Sequence, residues 1–285
     1  MFKMLKPKLF QTKKRAISVF ILSFTLSAQE ITQGASSWSV AGASMGFADV
    51  WSLYNQPAQM AFLQKMSVGI SYTNLFLSKE ISKTAFAFAY PYKIHAFGVG
   101  YAFSGYSLYQ NHQTSLAYAL RLHPTTALAI KLNYEAFRFG EAYYGSTNVF
   151  FMDIALRAQP IAPLGISVHI YKPYQTKIEQ KDSYPILFRL GLDYKVGKSL
   201  LCILQAEKNL YQPLAIKTGL AWQVVPIVSL RLGAGYNPTL FSTGLSVFAK
   251  YLHIDIASAW HWQLGIIPAV ALRVDMSKHV HRPQA

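Results

Sequence analysis

Charge is scarce in this chain of 285 residues: 14% are Asp, Glu, Lys or Arg, whereas 52% are hydrophobic. A soluble domain carries roughly a quarter charged residues, so an ordinary water-facing surface is excluded. Long apolar runs are also lacking. Beyond the first thirty residues no stretch approaches the roughly 18–20 apolar residues that a membrane helix needs. A chain too apolar for water and without spanning helices points to a closed barrel, because lipid offers no partner to an open sheet edge. Cysteine is nearly absent. Cys202, inside Leu200-Leu201-Cys202-Ile203-Leu204, excludes an internal disulfide, sits far from any lipid-attachment position, and reads as membrane-facing filler. The eight histidines show no metal-ligand spacing beyond His279 and His281 near the C-terminus, and no phosphate loop or nucleophile elbow occurs. The expectation is a protein that is not an enzyme and has no cofactor and no metal.

What is present supports export. Lys3, Lys6, Lys8, Lys13, Lys14 and Arg15 precede the short apolar core Ala16–Phe24, and Leu26-Ser27-Ala28 offers a cleavage point before Gln29. Residues 1–28 are therefore expected to be a signal peptide. They hold six of the 27 basic and none of the 12 acidic residues, leaving a net charge of +9 from the full-length +15. So basic a chain invites a nucleic-acid reading. The charges, however, are spread singly through strand-like segments, and export separates the chain from nucleic acid, so no nucleic-acid partner is expected. The 18 Tyr and 18 Phe suit the aromatic girdles of a barrel.

From about residue 67 onward one unit repeats: roughly ten residues of period-two alternation, then a turn. In Thr84–Tyr90 one phase is aromatic and the other alanine, and Phe97, Val99, Tyr101 and Phe103 oppose Ala96, Gly98, Gly100 and Ala102. Successive strand residues point to opposite faces, so the aromatic set is assigned to lipid and the small set to the lumen. Charges keep to the lumen phase, as expected if a lipid-facing Arg or Lys costs about 2–4 kcal/mol near the midplane. Arg121, Lys131, Glu135, Asp153, Arg157, Arg189, Asp193, Glu207, Lys217, Arg231 and Asp255 are the predicted lumen-facing charges. Two readings of this set stand: a permeation path for anionic or amphipathic solutes, or a mixed-sign network that satisfies itself. The phases mix in residues 239–250.

Fourteen such segments are counted between residues 67 and 276, an all-β transmembrane barrel of about fourteen antiparallel strands. Connections alternate between tight turns, assigned to the periplasm, and longer polar links, assigned to the outside. The longer set comprises Ser104 to His112, Phe139 to Thr147 and Pro173 to Tyr184. Tyr106, Tyr109, Tyr143, Tyr144, Tyr171 and Tyr174 crowd that outer end. Residues 277–285 form a basic periplasmic tail.

Residues 29–66 are too long for a simple lead-in and are expected to be a plug, with a helix over Asp49 to Gln64. Here lie Gly34-Ala35, then Gly42-Ala43-Ser44-Met45-Gly46-Phe47-Ala48-Asp49, then Ser52-Leu53-Tyr54-Asn55-Gln56-Pro57-Ala58. This pattern resembles the opening of FadL-type outer-membrane barrels, a superfamily that includes long-chain fatty acid transporters and the PorV/PorQ proteins of type IX secretion. Ser36, Val40-Ala41 and Gln56 depart from the usual pattern. Gly42, Gly46, Asp49, Tyr54, Asn55, Pro57 and Ala58 are the plug-motif residues, with Asn55 and Pro57 suited to a backbone corner.

The resemblance implies an outer-membrane location and two possible roles. One is passage of hydrophobic or amphipathic small molecules. The other is a non-transporting accessory or scaffold barrel in type IX-like secretion or surface assembly. The corresponding partners are outer-membrane lipid, a hydrophobic small-molecule ligand, or a secretion or surface-assembly protein.

Overall fold

The computed structural model describes residues 32–140, 145–173, 177–178, 182–183, 186–209 and 211–276. The expected signal peptide, the basic tail and Tyr143, Tyr144 and Tyr174 lie outside these residues. The barrel strands, numbered in chain order, are β1 (Met66–Asn74), β2 (Ser82–Tyr92), β3 (His95–Tyr106), β4 (Tyr109–His123), β5 (Thr126–Phe139), β6 (Ser146–Ile161) and β7 (Leu164–Tyr171). They continue as β8 (Leu187–Val196), β9 (Leu200–Asn209), β10 (Ala215–Val225), β11 (Val228–Tyr236), β12 (Leu240–Phe248), β13 (Leu252–His261) and β14 (Gly265–Met276). Each strand pairs antiparallel with its sequence neighbours, and β1 closes the sheet against β14, from Met66 opposite Met276 to Thr73 opposite Ala269. The fourteen strands match the count read from the alternation.

Closure leaves no free edge, and the outer face is apolar around the circuit. Phe86, Phe97 and Tyr101 are 41%, 48% and 43% exposed, while Ala85, Ala87, Ala89 and Ala96 on the opposite phase are buried. Among the described strand residues, the Asp, Glu, Lys or Arg side chains in the outward phase are Arg138 and Lys208, both near the long-loop end. Cys202 stands in the outward phase, between Tyr194 and Leu220. The mixed phases of residues 239–250 resolve in β12, where Phe241, Leu245 and Val247 face outward and Ser242 and Ser246 are buried.

Two expectations change. Ser104 to His112 is no loop: β3 and β4 remain paired up to Tyr106 and Tyr109, leaving Ser107-Leu108 as the turn. The polar run Gln110–Gln113 looked like a link because polar strand ends and polar loops share a composition. The helix over Asp49 to Gln64 is instead two short pieces, α2 (Ser52–Asn55) and a 3-10 turn over Pro57–Phe62, broken where Gln56 turns extended with φ −159°. Pro57 at the start of the second piece gives up no hydrogen bond there and presets its φ.

Residues 33–63, including α1 (Ala35–Trp38), lie inside the barrel, and Trp38, Val50, Trp51, Leu53, Met60 and their neighbours are buried. Two different inner walls receive them. Along β2 to β4 the wall is mostly Ala and Gly, with Lys83, Ser115 and Arg121 among them, and a Cβ on Gly98 would stand 2.5 Å from Met60 Cε and 2.6 Å from Leu53 Cδ1. From β5 to β14 the wall is largely polar and charged, broken by small residues such as Gly219 and Gly244, against which Val40 and Ser39 rest.

Candidate functional site

The interior of the barrel is the candidate site, and its inner segment is held chiefly by hydrogen bonds. Gly34 has φ +87°, and its missing side chain leaves room for the Trp51 ring, which packs onto the backbone at that point. Asn55 does not bond its own neighbours, as a simple corner would. Its amide accepts from the Gln33 N–H at 3.1 Å, donates to the Gln33 carbonyl at 2.9 Å, and donates to Ser37 Oγ at 2.7 Å. One side chain thus ties the start of the segment to the end of α2, closing a loop of chain into a unit.

Asp49 anchors the next turn. Its carboxylate accepts from the Trp51 N–H at 2.9 Å and from Ser36 Oγ at 3.0 Å, and Arg273 of β14 stands 3.3 Å away. Burial raises its pKa above the ordinary carboxylate value, against the pull of Arg273. Tyr54 donates from its hydroxyl to the Phe86 carbonyl at 2.7 Å, and burial pushes that phenol up as well. Gly42 holds φ +81°, Gly46 sits against Asp193, and Ala58 is fully buried. Gln56, the departure from the usual asparagine, donates to the Leu156 carbonyl of β6 at 2.9 Å and the Val168 carbonyl of β7 at 3.3 Å. The extra methylene lets it reach the wall.

The predicted lumen charges all lie on the inner face, and they are paired. Lys131 meets Asp153 at 2.8 Å; Arg189 and Lys217 share Glu207 at 3.0 and 2.7 Å; Arg231 meets Asp255 at 3.0 Å. Arg157 grips Asp193 with both guanidinium nitrogens, the geometry that makes Arg–carboxylate pairs strong. Glu135 takes Lys172 at 3.2 Å, and Arg121 donates to the Ala61 carbonyl at 2.7 Å. Arg189 also donates to the Asn55 carbonyl at 2.6 Å, so wall and inner segment belong to one network.

Sequence reasoning missed Lys172, Arg273, Asp275 and His169; it put Asn133 in the phase of Lys131 and Glu135 without its partners. Asn133 links Ser115 and Asp153, accepting from the first at 2.7 Å and donating to the second at 3.1 Å. His169 lies fully buried with Nε2 3.6 Å from Asp153 and Nδ1 3.2 Å from Arg189. Its phase with Gly165 and Ser167, opposite Ile166, Val168 and Ile170, was the available signal. Lys172 follows a strand end and shows no periodicity.

Nearer the long-loop end the inner wall becomes apolar. Phe137, Val149 and Phe151 form a buried cluster with Tyr109 and Tyr171 against it, and Leu75, Leu187, Leu240 and Ile267 are buried at the same ends of their strands. Tyr171 turns inward, edge-on to Phe151, and donates to Glu135 at 3.2 Å. An apolar patch on the β5–β6 side therefore lies at this end of the lumen, with the Glu135–Lys172 pair against it and Lys172 Nζ 4.0 Å from the Phe151 ring centroid.

Comparison with solved structures places the fold. The chain superposes on the CymD monoaromatic hydrocarbon channel with a TM-score of 0.69 at 9% identity, covering 87% of this chain and 99% of that one. For the Pseudomonas putida toluene transporter TodX the TM-score is 0.65 at 9% identity, over 85% and 96%. For a Pseudomonas aeruginosa FadL homologue it is 0.62 at 10% identity, over 88% and 99%. No family model and no curated protein sequence matches the chain. At such low identities the likeness is one of fold.

Proposed function

From the FadL-type barrel fold, we propose that this chain is an outer-membrane channel for hydrophobic or amphipathic small molecules, with residues 33–62 as its plug. The observation that carries this reading is the apolar patch of Phe137, Val149 and Phe151. Nothing in a sealed, self-satisfied barrel requires a buried apolar patch near the long-loop end. A hydrophobic solute, by contrast, needs one to leave water before it reaches the plug. Solved structures that share the fold include a monoaromatic hydrocarbon channel and two toluene transporters, and that chemistry fits the patch. The plug-motif residues fix the plug: Asn55 closes it, Asp49 and Tyr54 moor it to the wall, and Gly42, Gly46, Pro57 and Ala58 shape its path. On this reading the ion pairs position the plug and do not conduct, because each inner charge already has a partner.

The complete pairing of those charges also favours the accessory-barrel reading, in which the lumen stays closed and the outer hairpins engage a secretion or surface-assembly protein. Uptake separates the two. Proteoliposomes bearing the protein should accumulate radiolabelled toluene faster than empty vesicles, and Phe151→Asp should abolish the difference while leaving the barrel folded. Accumulation no faster than in empty vesicles would reject the channel in favour of the closed barrel.

A further inference from the structure

We propose that the short-turn rim of the barrel binds the headgroups of anionic phospholipids. The seven connections at this end, counting the lead into β1, carry Lys65, Lys93, Lys198 and Lys250 and no Asp or Glu. All four lysines are exposed, and none makes an ion pair with a described residue. The nearest carboxylate, Asp275, points inward and is engaged by Ser67 at 2.6 Å and His253 at 2.9 Å. The opposite rim is mixed where it is described: Lys79 stands beside Glu80.

Charge alone would describe a water-facing surface, but the same turns are tipped with large apolar side chains. Ile94, Ile161 and Ile227 are 49%, 57% and 60% exposed. Such tips are stable only in the acyl-headgroup boundary, and at that depth a lysine stem lies along apolar surface while its ammonium reaches the phosphate plane. Two of the lysines are positioned for this. Lys93 Nζ lies 5.6 Å from the Tyr92 ring centroid and Lys250 Nζ lies 5.1 Å from that of Tyr251, both rings being exposed. An aromatic ring at the interface holds the cation at headgroup level. The sign of the lipid follows from the missing carboxylates. A zwitterionic headgroup brings an ammonium that finds no anion among these turns, whereas a headgroup of net negative charge leaves nothing unpaired. This inference rests on the barrel's seat in a bilayer and not on what passes through it.

The test uses the full-length protein in nanodiscs of phosphatidylcholine mixed equally with phosphatidylglycerol. Native mass spectrometry then reads the lipids retained on release. Each lysine that engages a headgroup contributes a preference of about fivefold, so the wild type should retain phosphatidylglycerol at least about tenfold over phosphatidylcholine. The variant carrying Lys65→Gln, Lys93→Gln, Lys198→Gln and Lys250→Gln should fall to near parity, and Lys79→Gln on the other rim should change nothing. Heat-modifiable gel mobility checks that each variant is folded. Should the fourfold variant not fold, Lys93→Gln and Lys250→Gln taken singly should each lower the preference severalfold. Equal retention of the two lipids by the wild type, or an unchanged preference in the folded variants, would overturn the proposal.

Discussion

The inner wall formed by β2 to β4 and the wall formed by β5 to β14 meet the same inner segment by different physics. The first is mostly Ala and Gly, with Leu53, Tyr54 and Met60 pressed against it. Its contacts are chiefly dispersion and excluded volume, with hydrogen bonds from Tyr54 to the Phe86 carbonyl and from Arg121 to the Ala61 carbonyl. The second holds the segment with buried ion pairs and hydrogen bonds, through Arg189 to Asn55, Arg273 to Asp49 and Gln56 to the strand carbonyls. A smooth wall tolerates sliding until something protrudes from it. A charged wall tolerates no loss of a partner. A segment resting on one and bonded to the other has a side that can separate without breaking a buried ion pair, losing only the Tyr54 and Arg121 hydrogen bonds.

The sharpest way to break this contrast is on the charged side. Asp153→Ala removes the acceptor of Lys131, Asn133 and the Lys172 N–H at once. Stripping one member of a buried pair costs about 3–5 kcal/mol, expected as a lowered urea midpoint in vesicle-embedded unfolding. The double variant Lys131→Met, Asp153→Leu should recover much of that loss, because it leaves no charge behind. If both variants unfold alike, the charged wall is merely packed, like the other.

On the smooth side, Gly98→Val puts methyls where Met60 and Leu53 already stand. The expected cost is about 1–3 kcal/mol, the range for overpacking a well-packed contact, again read as the urea midpoint. Protease access to the inner segment should rise while the strands stay protected. The smallest effect is electrostatic. Asp49 has its pKa raised in the folded protein, so the folded form binds a proton more tightly than the unfolded one. Stability should therefore rise as pH falls through the window between the raised pKa and the ordinary value near 3.8. In Asp49→Asn that increment should vanish from a pH series of the same midpoints.

How much of this was legible in the sequence differs between the two faces of the wall. The outer face was readable nearly strand by strand, since lipid penalises every misplaced charge and the penalty writes a period-two pattern. The lumen charges were readable for the same reason, by exclusion from the outer phase. Their partners were not, because which carboxylate meets which cation depends on register across strands distant in sequence, as with Arg231 and Asp255. Lys172 was missed outright. The inner segment was recognisable through Gly34–Ala58, but its internal fold was not. Asn55 reaching back to Gln33 is a tertiary contact that no local propensity encodes. The Ser104–His112 hairpin was lost to composition, since Gln110, Asn111 and His112 beyond the lipid belt obey no hydrophobic constraint.

The seam between β1 and β14 sets an order of events. Ser67 lies opposite Asp275, so the barrel cannot shut until its last-synthesised strand meets its first, the longest loop closure in the chain. The segment enclosed by that closure is the one that precedes β1. It runs directly into β1 and is bonded to the wall through Arg189, Arg273 and Gln56, so the closing of the seam and the filling of the lumen involve the same strands. Assembly machinery that holds β1 and β14 apart would therefore govern both when the barrel closes and whether it closes filled or empty.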